Sequence, residues 1–234
     1  GGVAGLDPWR EEHLSAVQRM VYREEEGARA GTAGTGLPGD ACEDARRAIL
    51  SCAAEEAQGL SDVPGAAGTT LLLLARTLKG CLEFPAHFPR LLKALDSVHP
   101  SLSECAGASV PSEEVGRGVR EMTKVLVEAV LQTAYQEGGG TKNEKLVKNL
   151  ACKILAGYVD DERHTLRAML EAGPIQAVVH CARSSGKPRD NAVRLFAEIA
   201  GQGTGSNGLG QDETLWALLE NQCKSAPPLP PSPP

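Results

Sequence analysis

Aromatic residues are scarce: Phe, Trp and Tyr together make up 3% of the 234 residues. Sheet proteins lean on aromatic and β-branched side chains, so this scarcity, beside abundant Leu, Ala and Val, points to helices. No Lys/Arg-rich run occurs and the formal net charge is −6. A surface that neutralises phosphate needs the opposite balance, so nucleic acid is not an expected partner. The acidic residues are dispersed and form no tail. No apolar run approaches the roughly 18 residues of a membrane span, and "TTLLLLA" at 69–75 is far too short. No secretory signal opens the chain, and no membrane contact is expected. The first residue is Gly1 and not Met, which reads as a processed chain or a fragment.

Recognisable reactive motifs are missing as well. The seven cysteines (Cys42, Cys52, Cys81, Cys105, Cys152, Cys181 and Cys223) are irregularly spaced, with no C-x-x-C. That excludes the common zinc patterns and suits buried free thiols in a reducing compartment. The chain is therefore expected in the cytoplasm, with the nucleus left open. Five histidines make no H-E-x-x-H pattern, and no G-x-S-x-G occurs. His180 and Cys181 are neighbours in sequence, so on a helix they point about 100° apart. The Gly-rich stretches at 31–40 and 201–210 follow no strand and lack the Lys-Ser/Thr end of a phosphate loop. No catalytic residue, metal, cofactor or small-molecule substrate is expected. The alternative is a helical regulatory subunit or enzyme with a Cys/His site that sequence does not reveal.

What the sequence does contain is helical periodicity. "DPWREEHLSAVQRMVY" (7–22) has a capping Asp, a Pro suited to the first turn and early acids. A Gly-rich flexible linker follows, so residues 1–39 form one N-terminal unit. Helices are expected over 40–58, around Leu71–Leu78, and after Pro85 through Val98, with a loop at 99–112. Val115, Val119, Met122, Leu126 and Val130 mark one long helix over 112–136. Thr141 and Glu144 have capping-box spacing and open a helix that carries Leu146 to Tyr158. Shorter helices are expected at 161–171, 174–183, 188–200 and 212–223. Short Gly/Pro breaks between them, and no convincing strand, make an all-α fold spanning 40–224. The tail, 225–234, is Pro-rich and should be extended.

Shifting the sequence by 41 residues lays "ACKILAGYV" (151–159) on "AVRLFAEIA" (192–200). Helix periods near 40–47 are typical of HEAT and armadillo arrays. The segment "LEAGPIQAVV" (170–179) resembles the armadillo repeat. That family ends a short first helix with Glu-Ala-Gly, continues to an Ile and a Pro, and then adds a short apolar helix and a longer third helix. Glu171, Ala172, Gly173, Ile175 and "AVV" at 177–179 reproduce this, Arg163 sits where the family often has Arg, and "NAVRLFAEIAG" looks like the third helix. The Pro falls at 174, and Gln176 takes the usual Pro place. The resemblance is clear over 141–200, loose over 64–136 and absent from the first forty residues; a HEAT-like array and an unrelated helical domain are the alternatives.

The resemblance implies a right-handed α-solenoid whose third helices line a concave groove for a segment of another protein: a scaffold or adaptor. Peptide-binding members carry Trp and, four residues later, Asn on that helix. The Trp places here hold Lys153 and Arg194, and the Asn places hold Gly157 and Glu198. An Asn ladder is therefore not expected, and these four residues are the groove candidates. Arg194 and Glu198 also form an i, i+4 opposite-charge pair. In the tail, Pro227, Pro228, Leu229, Pro230 and Pro231 make a possible SH3 or WW ligand, with Lys224 the nearest cation.

Overall fold

In this computed structural model, the described residues are 66–82, 87–108, 112–134, 142–159, 163–201 and 213–225, with Glu43, Ala45, Arg46, Arg47 and Ile49 upstream. They are helical apart from turns, and no strand occurs among them. The fold is all-α. The expected N-terminal helix, the Gly-rich linker and the Pro-rich tail lie outside the described residues.

Among the described residues from Ala66 on, eight helices run in order: α1 (Ala66–Gly80), α2 (Phe88–Ala108), α3 (Glu113–Ala134), α4 (Lys142–Ala156), α5 (Arg163–Glu171), α6 (Ile175–Ala182), α7 (Lys187–Gly201) and α8 (Glu213–Ser225). Each carries the apolar spacing that makes a helix worth burying. In α3, Val115, Val119, Met122, Leu126 and Val130 are all buried, and the helix opens on Ser112, whose Oγ accepts the Val115 N–H at 3.2 Å.

The helices form two layers. In one, α1 packs on α3 and α3 on α6; in the other, α2 packs on α4 and α4 on α7. The layers meet through the pairs α1/α2, α3/α4 and α6/α7, and the core lies between them. The short α5 rests against α3, and α8 covers α5 and α6. The α1/α3 packing is closest because Gly68 and Gly118 bring the two backbones together. A Cβ on Gly68 would run into the Glu114–Val115 backbone, and one on Gly118 into the Gly68 carbonyl.

The break at 173–174 is a corner. Gly173 has φ +76°, the left-handed conformation that ends α5 at little steric cost. Pro174 follows with φ −73°, and its carbonyl accepts the Val178 N–H as α6 begins. Leu170, Ile175 and Val178 are buried and Val179 half-buried, so both sides of the corner feed the core.

One expectation fails. Of the loop expected at 99–112, residues 99–108 are helical: α2 continues through Pro100 to Ala108. Pro100 deprives the helix of one donor and favours a break. Here the apolar series overrides it, because Leu95, Val98, Leu102 and Ala106 bury one continuous stripe. Pro100 itself is exposed.

Where the end of α4 meets α2, His99 packs on Tyr158 edge-to-face, with ring centroids 4.8 Å apart and planes at 81°. His99 Nε2 and Tyr158 Oη are both buried without a hydrogen-bond partner. Burial pushes the Tyr158 hydroxyl upward and lowers the His99 pKa to about 3. The unfolded chain therefore takes up an imidazole proton that the folded chain refuses. Stability is fully present above pH 6.5 and falls as the pH drops toward 3, by roughly 1.4 kcal/mol per pH unit from this group. Urea titrations over that range should show a shallower acid decline for His99→Leu than for the wild type. Parallel declines would exclude His99 as the cause.

Candidate functional site

The layer α2/α4/α7 presents an outward face built from one stripe of each helix. On α4 the stripe is Lys142, Lys145, Asn149 and Lys153, spaced i, i+3, i+7, i+11. On α7 it is Lys187, Asn191, Arg194 and Glu198, and on α2 Lys93 and Asp96. Two contacts between helices stitch this face. Lys153 Nζ pairs with Asp96 Oδ2 at 2.8 Å, and Asn191 Nδ2 donates to Asn149 Oδ1 at 2.9 Å.

The four groove candidates have different surroundings. Lys153 and Arg194 are exposed on adjacent helices of the layer. Lys153 is tied to α2 through Asp96. Arg194 Nε lies 3.2 Å from Glu198 Oε1, the intrahelical pair expected from the spacing. Glu198 is half-buried beside it. Gly157 occupies the turn after α4, where its amide donates to the Ile154 carbonyl. A Cβ there would meet His99 Cε1 at 2.8 Å and Ser103 Oγ at 3.1 Å. Gly157 therefore lets α4 close on α2 and brings no side chain to the face. The five tail residues, Pro227 to Pro231, lie outside the described residues.

Thr141 also lies outside the described residues, so the capping-box partner is unseen. Glu144 Oε1 accepts a hydrogen bond from Lys148 Nζ. This pair is buried, with side chains 14% and 7% exposed, and His180 lies near enough to feel both charges. Desolvation is the main reason the His180 pKa falls, with Lys148 adding to it. The sequence hint for this cluster is the i, i+4 spacing of Glu144 and Lys148; nothing in the sequence marks it as buried.

Gln222 at the corner gave no sequence signal. From α8 its Oε1 accepts the Ile175 N–H at 3.3 Å, and its Nε2 donates to the Leu170 carbonyl. On the neighbouring side, Glu171 accepts from Arg120 of α3 at 2.9 Å and from Arg167 at 3.2 Å, tying α5 to the layer beneath.

Comparison with family models, with curated proteins and with solved structures finds no match to this chain.

The thiols differ from a uniformly buried set. Cys81, Cys152 and Cys181 are buried, whereas Cys223 is exposed on α8. A hydrogen bond with Cys152, followed by burial, raises the Cys181 pKa. Its Sγ also donates to the Lys148 carbonyl at 3.7 Å. A thiol held protonated is a poor nucleophile. Among the described residues, no group of three or more His, Cys, Asp or Glu side chains could hold a metal ion, and no helix is long and apolar enough to cross a membrane. Alkylation followed by peptide mapping should label Cys223 within minutes in the native state and Cys152 and Cys181 only after unfolding. Fast native labelling of Cys181 would show an accessible thiolate there.

Proposed function

We propose that this chain is a non-catalytic protein–protein interaction module, an armadillo-like scaffold or adaptor that holds a partner protein along the α2/α4/α7 face. The observation that carries the reading is the stacking order. Three helices recur side by side in one layer, each backed by a helix of the other layer, and the last of them follows the "LEAGPIQAVV" corner. In a repeat stack each unit buries its apolar side against its neighbours and leaves a broad polar surface. Here that surface carries side chains linked from helix to helix, Asp96 to Lys153 and Asn149 to Asn191. Such links hold neighbouring helices in register and offer charges and amides to an extended segment. The protonated, buried Cys181 favours this reading over one with a Cys/His reaction centre.

The array begins upstream of the clear sequence repeat. Helices α1, α2 and α3 lie where the resemblance is loose, and the layer order of the pairs α1/α2 and α3/α4 matches that of α6/α7. The short α5 precedes the pair α6/α7 and makes a three-helix unit with it.

Lys153→Glu and Arg194→Glu test the face. Each is exposed, so loss of its pair costs the fold at most about 1 kcal/mol. With a partner captured by crosslinking on the wild type, the double variant should bind about tenfold more weakly or worse, while its thermal midpoint stays close to that of the wild type. Undiminished binding with an intact fold would remove the partner from this face.

A further inference from the structure

The partner segment can be given a chemistry, which rests on the interaction face argued above. We infer that the α2/α4/α7 face receives an acidic peptide segment, recognised through Lys93, Lys142, Lys145 and Lys187. All four are exposed, and none forms an ion pair among the described residues. The two acids that share their stripes are already matched: Asp96 by Lys153 and Glu198 by Arg194. Asp190 is exposed on α7 one turn from Lys187 and offsets one of these lysines, so the face keeps a surplus of three positive charges on a chain whose formal charge is −6.

Their placement is local. Lys145 lies one helical turn from Asn149, and Lys187 lies one turn from Asn191. The Asn149–Asn191 bond joins these stripes, so the lysines of α4 and α7 gather around it. On the other side, Asp96 holds α2 against α4, with Lys93 one turn away on the same stripe.

An acidic peptide suits this face better than a nucleic acid does. Asp96 and Glu198 interrupt the lysines and would repel a continuous phosphate chain. No aromatic side chain lies in the stripes to stack a base, and the exposed Trp216 belongs to α8. Carboxylates spaced along a peptide can meet the lysines while backbone groups meet the exposed edges of the Asn149 and Asn191 amides.

The test uses the full chain and fluorescence anisotropy with labelled peptides of about fifteen residues, one repeating Glu-Glu-Ser and one repeating Gln-Gln-Ser, together with a single-stranded RNA of similar charge. The proteins are wild type, K93E/K142E/K145E/K187E, its Gln counterpart should the Glu form not fold, and K153E/R194E. The expected result is binding of the Glu peptide alone, weakened about tenfold or more by the four-lysine change and by raising salt from about 0.05 to 0.5 M. Equal binding of the Gln peptide, lost in K153E/R194E and kept in the four-lysine variant, overturns the acidic partner and leaves the face standing. No peptide binding, or binding indifferent to both sets of changes, overturns the inference and argues against the face as well. Tighter binding of the RNA than of the Glu peptide overturns the inference in favour of a nucleic acid.

Discussion

One carboxamide closes the turn on which the C-terminal half of the fold depends. At Ala172–Pro174 the chain leaves one helix and starts another across three residues. Such a break opens backbone groups at both helix ends, and burying them unpaired would cost about 1–3 kcal/mol each. Gln222 accepts the Ile175 N–H and shares the Leu170 carbonyl with the Gly173 N–H. Glu171, anchored by Arg120, fixes the end of α5. With the corner held, α6 packs on α3, and the turn at Arg183–Gly186 returns the chain as α7 against α4. The face formed by α2, α4 and α7 is completed only because the chain turns here.

Much of the corner was legible in ten residues. Gly followed by Pro between two apolar periodic stretches announces a positive φ and a helix start, and both are present. Gln222 was not legible, because it arrives from 47 residues away and a surface-type amide carries no pattern. The same limit applies to the face. The Arg194–Glu198 pair could be read from i, i+4 spacing, whereas the Lys153–Asp96 pair joins residues 57 apart. Pro100 misled in the opposite direction. A local breaker outweighed the apolar series in the sequence reading, while burial of Leu102 and Ala106 outweighed it in the fold. Gly68 and Gly118 lie in different helices, and only the packing of α1 on α3 shows why both lack side chains.

The polar groups divide by place. Inside, His99, Tyr158 and the Glu144–Lys148 pair are withdrawn from water, and they bear on stability and its pH dependence. Outside, the α2/α4/α7 face keeps its charges in solvent, where each single pair contributes little to folding. Side chains there can change without unfolding the stack. That separation is what an interaction surface on a repeat scaffold requires, and it places the proposed function on side chains that the core does not need.

Amide exchange at Ile175 reports on the closing of the corner by Gln222. Ile175 is the first residue of α6, a position whose N–H has no partner within its own helix. Exchange should be slow in the wild type and faster by about tenfold or more in Gln222→Ala, as expected when a bond worth about 1 kcal/mol or more is lost. Rapid exchange at Ile175 in the wild type, or an unchanged rate in Gln222→Ala, would contradict it.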